Sequence, residues 1–326
     1  MDEDGIRLTS YFRDDRGSPA DALTDLYARR GITASIVLRG IEGSVTAMAV
    51  GTRPDVEALS GDAAELAGPG LFTMENVRLL TGDIDPVWLG EQPSEATRLT
   101  VFSGRQDRAY QVPAFEAACE LLYRRGVAGA TVLPGSDGTL RGRRQHPRFL
   151  RHDADAPLMV IAVGSGDEIG MILPELGALF RHPVMTVEKV QVCQRGGQLI
   201  SRPRLLPIDV AGGMGARLTL TVYASEAARH DGQPVHRVIA RQLGQAGIEN
   251  VTTVRGTWGF HADHAPHGDH FPRLGRRVPA VTTATGPPEQ VSAAFDAVTR
   301  VAGRGLVTAQ TVLAMQPAAD GTQRPC

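Results

Sequence analysis

Gly126-Val-Ala-Gly-Ala-Thr-Val-Leu-Pro-Gly-Ser-Asp-Gly138 has two counterparts in the same chain, Gly31-Ile-Thr-Ala-Ser-Ile-Val-Leu-Arg-Gly-Ile-Glu-Gly43 and Gly247-Ile-Glu-Asn-Val-Thr-Thr-Val-Arg-Gly-Thr-Trp-Gly259. Each begins with glycine, carries a run rich in β-branched residues and ends G-x-x-G. Downstream, residues 49–77, 162–190 and 284–312 align without gaps. Their ends read Leu71-Phe-Thr-Met-Glu75, Val184-Met-Thr-Val-Glu188 and Leu306-Val-Thr-Ala-Gln310. Upstream, Arg7-Leu8-Thr9, Arg98-Leu99-Thr100 and Arg217-Leu218-Thr219 form a third match. Self-similarity in a fixed order is the signature of a repeat architecture.

Three units follow, at 1–80, 98–193 and 217–315. The joins, 81–97 and 194–216, are rich in Pro and Gly and read as linkers, with a short strand possible near Gly197–Arg202. Within a unit, an opening strand precedes a helix whose apolar residues recur at three and four: Leu23, Leu26 and Tyr27; Phe115, Cys119 and Leu122; Val235, Ile239 and Leu243. Gly31, Gly126 and Gly247 then stand where helix C-caps belong. Two strands, a second helix and a last strand complete the order β-α-β-β-α-β, the ferredoxin-like unit of an α+β protein. One such sheet leaves an apolar face bare. Three can bury those faces against one another, so the chain is expected to build a pseudo-trimer within itself.

With 42% hydrophobic and 21% charged residues, the composition is that of an ordinary globular protein. Lys+Arg number 34 against 36 Asp+Glu, which argues against a cationic nucleic-acid binder. Three distant cysteines without a C-x-x-C pair suit a reducing compartment. The acidic start Met1-Asp2-Glu3-Asp4 does not resemble a secretory signal, and no apolar run approaches the 18 or more residues of a membrane span. A cytoplasmic location, without direct membrane insertion, is the expectation.

The units diverge after their second strand. Unit two inserts a segment with Arg141, Arg143, Arg144, Arg148 and Arg151, whose planar forks suit phosphate or carboxylate oxygens. It reads as a solvated loop or an anion- or partner-binding arm. Unit three inserts Phe260-His-Ala-Asp-His-Ala-Pro-His-Gly-Asp-His270, placing His261, His264, His267 and His270 at intervals of three. Imidazole is a common metal ligand. However, no H-E-x-x-H or Cys/His ligand set accompanies them. Unit one has lost its insertion. Glycines at the base of these loops (Gly40, Gly43, Gly256, Gly259) and before the last strand (Gly68, Gly70, Gly303, Gly305) permit tight turns, or a nest of amides around an anion. Arg39, Arg255 and Arg304 stand beside them, whereas unit two has Pro134 and His182-Pro183. No P-loop, no G-x-S-x-G elbow and no paired carboxylates occur at these positions.

Taken together, R-L-T-V-(Y/F), a helix ending R-R-G, G-V-x-G-A-T-V-L-x-G, Pro157-Leu-Met-Val-Ile-Ala-Val-Gly164, G-L-V-T and the run from Arg255 to Thr282 resemble the domain-of-unknown-function family 190, itself similar to the PII signalling proteins. The resemblance implies trimer-like clefts that hold an adenine nucleotide (AMP, ADP, ATP or cyclic AMP) between neighbouring units. It places Arg39, Gly40, Gly43, Arg255, Gly256 and Gly259 on one wall and Gly68, Gly70, Gly303, Arg304 and Gly305 on the facing turn. It further implies loops that dock on partners such as a membrane transporter or a fluoride-exporter-type channel. The expectation is a non-enzymatic, monomeric, nucleotide-binding regulator. A metal sensor built on the histidine loop and a nucleotide hydrolase are the alternatives.

Overall fold

The computed structural model describes residues 2–13, 19–68, 70–86, 95–145, 156–206, 214–248, 250–261, 265–268 and 278–315. Unit one comprises β1 (Asp2–Arg13), α1 (Pro19–Arg29), β2 (Ala34–Arg39), a 3-10 turn (Ile41–Gly43), β3 (Ser44–Thr52), α2 (Arg53–Ala67) and β4 (Leu71–Thr81). Unit two opens with β5 (Glu95–Gly104), a hairpin of β6 (Arg108–Ala109) and β7 (Val112–Pro113), and α3 (Ala114–Arg124). It continues through β8 (Gly129–Pro134), β9 (Asp137–Leu140), β10 (Arg143–Gln145), β11 (Pro157–Gly164), α4 (Gly166–Ala178), β12 (Val184–Arg195) and β13 (Gln198–Leu199). Unit three has β14 (Gly215–Ser225), a hairpin of β15 (Arg229–His230) and β16 (Gln233–Pro234), α5 (Val235–Gln245) and β17 (Asn250–Arg255). β18 (Trp258–His261), β19 (His267–Gly268), β20 (Pro279–Gly286), α6 (Pro288–Ala302) and β21 (Leu306–Met315) complete it.

In each unit the four long strands pair antiparallel in the order last, first, third, second: β4-β1-β3-β2, β12-β5-β11-β8 and β21-β14-β20-β17. This is the ferredoxin-like sheet. The first helices stop at Gly31, Gly126 and Gly247, which take φ of 67°, 81° and 81° at little steric cost. α4 starts on a capping box: the Glu168 amide donates to Ser165 Oγ, and the Ser165 amide donates to Glu168 Oε2. Among the described residues, no helix is long and apolar enough to cross a membrane.

The last strands close the assembly. β4 pairs with β12 from Val184↔Thr81, β12 with β21 from Gln191↔Ala309, and β21 with β4 from Leu313↔Met74. The three sheets thus form a closed pseudo-trimer inside one chain. Each sheet packs its outer face on its own helices and its inner face on the other units. Ile36, Leu79, Phe102, Leu133, Met159 and Val254, drawn from all three units, share one inner cluster. Burial on both faces explains why β11 is buried at every position rather than at alternate ones.

A charged group sits inside this ring. Arg7 pairs with Glu75 and, at 2.8 Å, with Glu188; Arg98 pairs with Glu188 and, at 3.1 Å, with Glu75. Arg98 also donates to Gln310 Oε1 at 2.6 Å. All four charged residues are less than 9% exposed. Beside them lies a cavity of about 60 Å3 reached by Thr9, Thr100 and Thr221. Burial alone would raise the Glu188 carboxyl, but the Arg7 and Arg98 guanidiniums outweigh it and hold the carboxyl below its ordinary value.

The register corrects one expectation. Arg7 lies opposite Val50 and Glu75, and Arg98 lies opposite Val163 and Glu188. In unit three the residue opposite Thr285 and Gln310 is Thr219, not Arg217. Arg217 falls two residues away and donates to the carbonyl of Ala216. The third copy has therefore lost both an arginine and a glutamate at the axis. Two positive and two negative charges remain.

Removing one partner of a buried pair costs about 3–5 kcal/mol, because the other charge is left uncompensated. Arg98→Thr and Glu188→Gln should each destabilise by about that amount, while the double variant, which copies unit three, should fall short of their sum by about 2–3 kcal/mol. Urea unfolding of all four proteins measures this; strict additivity would refute the coupling. Because folding depresses the Glu188 carboxyl, its contribution is present above the usual carboxylate range of about 4.3 and is lost as pH falls through the folded value. The urea midpoint should accordingly drop more steeply in acid for the wild type than for the double variant.

Candidate functional site

The G-x-x-G segments lie where the chain leaves one sheet and crosses to the next unit. After β8, the Ser136 amide donates to the Val37 carbonyl and β9 pairs along β2, with Ala34 opposite Leu140. After β17, the Thr257 amide donates to the Val132 carbonyl and β18 pairs along β8, with Trp258 opposite Val132. Glycine is required by crowding at these crossings. A Cβ at Gly138 would collide with the Ser35 carbonyl oxygen, and one at Gly259 with that of Ala130. Unit one has only the short 3-10 turn Ile41–Gly43, which places no strand on β17.

The three joints consequently differ. Between units one and two, the β9–β10 turn fills the space: the Arg141 and Gly142 amides donate to the Thr33 and Ile32 carbonyls. The Arg141 guanidinium holds the His182 carbonyl, and Arg144 pairs with Asp21, Asp25 and Asp137. Between units two and three a cavity of about 490 Å3 stands instead. Arg195, Arg304 and His261 reach it, with Tyr123, Tyr223 and Phe260 on its walls. Tyr123 and Phe260 meet edge-on at 5.4 Å. Among the described residues, no Asp or Glu lines the cavity. Neither Arg195 nor Arg304 has an ion-pair partner among the described residues. Gln194 pins the wall by donating from Nε2 to the Gly303 carbonyl at 2.6 Å.

The predicted residues fall into two of these joints. Arg39 ends β2 and is exposed. The Gly40 amide donates to the Ser44 carbonyl, and Thr252 of unit three lies close beside it. Gly43 takes a φ of 78°, and Gly68 ends α2 at 66°. The Gly70 amide donates to the Gly68 carbonyl. This set belongs to the joint of units one and three. In unit three, Arg255 is engaged by Glu226 at 2.7 Å. Burial first, and then the positive charge of Arg255, lower the nearby His236 imidazole. The Gly256 amide donates to the Pro279 carbonyl and the Gly305 amide to the Ala302 carbonyl, while Gly303 ends α6 at a φ of 56°. The amides of Gly40, Gly70, Gly256 and Gly305 are thus committed to protein carbonyls. What the cavity offers an anion is guanidinium, from Arg304 and from Arg195. Arg195 escaped the sequence reading because it lies in a presumed linker. The signal was Gly196-Gly197, a turn that carries β12 back into β13.

The arginine segment differs from a solvated arm as far as it is described. Arg141 and Arg144 are sealing contacts, because carboxylates of α1 and β9 converge on Arg144. Arg143 is exposed, and Arg148 and Arg151 lie outside the described residues. His261 ends β18, while His267 in β19 faces Gly259 with Nδ1 2.9 Å from the Ala265 carbonyl oxygen. His264 and His270 lie outside the described residues. Among the described residues no group of three or more His, Cys, Asp or Glu side chains is arranged to hold a metal. Cys119 is buried on α3, and burial pushes its thiol up.

A model of the DUF190 family, described as "Uncharacterized ACR, COG1993", matches residues 96–192 and again 217–314. Among solved structures, the aspartate kinase from Synechocystis aligns with 95% of this chain at 10% identity and a TM-score of 0.28; this chain spans 44% of it. A putative glycine cleavage system transcriptional repressor aligns with 58% of this chain and 98% of its own, at 11% identity and a TM-score of 0.21.

Two glycines separate the two reasons for glycine. Gly259→Ala, at a φ of 150° and against the Ala130 carbonyl, should cost about 1–3 kcal/mol and speed amide exchange along β8. Gly68→Ala, with open space around it but a φ of 66°, should cost about 1–2 kcal/mol and leave β8 protected. Equal exchange in both variants would refute the crossing as the cause.

Proposed function

This chain belongs to the DUF190 family, and on that premise we propose that it is a regulatory ligand-binding protein that takes an adenine nucleotide in the cavity between units two and three. The observation that carries the reading is the pair Arg195 and Arg304, without ion-pair partners among the described residues, in a cavity whose described lining holds aromatic rings and no carboxylate. About 490 Å3 lies within the ordinary range of small-molecule sites, about 300–1,000 Å3. The guanidiniums suit phosphate oxygens, and the part-buried Tyr123 ring, backed edge-on by the buried Phe260, suits a planar base. Among the described residues the lining holds no Asp, Glu, Cys or Ser, and on that basis we propose binding rather than turnover.

Loops then carry the signal. β18 ends at His261 on the cavity wall, where the histidine segment begins. A ligand that favours one arrangement of this rim biases what the following loop presents to a partner. We read that partner as a protein, a membrane transporter or channel included, and the chain as a cytoplasmic monomer, since its last strands already close the ring internally.

Calorimetry against AMP, ADP, ATP and cyclic AMP tests the reading. One site per chain is expected, with Arg304→Ala and Arg195→Ala each weakening binding by about 10–100-fold, the worth of a hydrogen bond to a charged group. Arg255→Ala, whose side chain serves Glu226, should change affinity little. No binding by any of the four would sink the proposal. Turnover of the bound nucleotide would replace it with a hydrolase, and metal binding lost in His261→Ala would favour a sensor.

A further inference from the structure

On the outer surface of unit two, α3 and α4 are held apart. In unit three the matching helices α5 and α6 pack closely along each other, whereas α3 and α4 touch only briefly. The gap is a groove of about 610 Å3. Its floor is apolar, with Leu121, Leu179 and Trp258, the last edge-on to Phe115 at 6.3 Å. Among the described residues, three carboxylates stand on it, those of Glu116, Glu120 and Glu175, with the Arg124 guanidinium, while Arg125 reaches Glu175 from outside the groove. Glu116 has no partner among the described residues. The Arg124–Glu120 and Arg125–Glu175 pairs are more than 40% exposed on both sides, so an incoming cation can exchange into them at little cost.

The groove is flanked by exposed apolar side chains. Tyr110 is 86% exposed and Val112 45%. Met171, 70% exposed, lies one and two turns from Glu175 and Ala178 on the same face of α4. Tyr110 is also held against its backbone preference. In the β6–β7 turn, Tyr110 and Gln111 take φ of 49° and 71°; in the equivalent β15–β16 turn those places are filled by Asp231 and Gly232, at 49° and 75°. Asp-Gly is the pair such a turn favours, and Tyr-Gln is not. Unit two keeps a strained, solvent-facing tyrosine where its sister unit keeps the relaxed pair. Strain of this kind persists where a side chain serves a contact.

We propose that this groove docks a basic segment of a partner protein, one whose Lys or Arg residues flank apolar anchors. The anchors fill the apolar floor beside Tyr110, and the cations meet Glu116, Glu120 and Glu175. The acidic rim disfavours an anionic lipid surface. The groove is separate from the nucleotide cavity, although both draw on β18.

A random twelve-residue peptide library is selected against the full chain, and the enriched peptides are synthesised and titrated by fluorescence anisotropy. Enriched sequences should combine Lys or Arg with Leu, Phe, Trp or Met. Their affinity should fall tenfold or more in Glu116→Lys and in Tyr110→Asn, and should be unchanged in Arg304→Ala. Tyr110→Asn suits the left-handed turn, so its melting temperature should rise while its binding falls. A misfolded variant would show the opposite stability change. No enrichment, enrichment without basic residues, or affinity indifferent to both variants overturns the proposal. A wild-type dimer dissolved by Tyr110→Asn would assign the groove to a second copy, and Tyr110-dependent flotation with phosphatidylserine vesicles would assign it to membrane; either result overturns the proposal as well.

Discussion

Four buried charges on the pseudo-threefold axis constrain the rest of the molecule. Arg7, Arg98, Glu75 and Glu188 are withdrawn from water, and each is costly unless the others are in place. Arg7 comes from β1, Glu75 from β4, Arg98 from β5 and Glu188 from β12, so the network is complete only when sheets of two units meet in register. Gln310, from β21, ties the third sheet to Arg98. The surrounding apolar contacts supply the drive to close, and the charges specify one way of closing.

Once the ring is closed, the second strand of every unit presents an edge to its neighbour. What happens at that edge depends on the length of the following loop. Unit two has enough chain for β9 and β10, and seals the edge of β2 with a turn and the Arg144 carboxylate cluster. Unit three lays β18 on β8 and leaves a cavity bounded by Arg195, Arg304 and His261. Unit one turns back at Gly43 and, among the described residues, lays a 3-10 turn but no strand beside β17. One fold repeated three times therefore offers three different joints, set by loop length rather than by core sequence.

Much of this was legible in the sequence. The glycines that end the first helices, the apolar spacing of those helices and the T-x-E/Q triplets near the start of the last strands gave unit count and element order, and the apolar face that one such sheet leaves bare gave the closed arrangement. The opening strand of unit three was misaligned for a physical reason. Arg217-Leu-Thr-Leu-Thr-Val alternates with period two, so a shift of two residues preserves which side chains face inward. Only hydrogen-bond register shows that Thr219, not Arg217, occupies the axial place. At the site, the G-x-x-G segments stand at the joints, where Gly138 and Gly259 serve backbone crossing. The cations that line the cavity include Arg195, whose role depends on a β12–β13 turn that composition alone reads as linker. The Tyr110 turn was invisible for a related reason: nothing in Tyr-Gln suggests a left-handed backbone until the hairpin is seen.

The loss of one arginine and one glutamate from the axis has a consequence for how such a protein can change over time. In a ring of three identical chains, every substitution arrives three times, and removing an axial charge empties all three places together. Joined in one chain, the copies can lose a matched pair from a single unit, as Thr219 and Gln310 show, and remain neutral. The same freedom reaches the clefts. A chain that carries each copy once can seal one joint with an arginine and its carboxylates and leave a cavity at another, a division of labour that three identical chains cannot make.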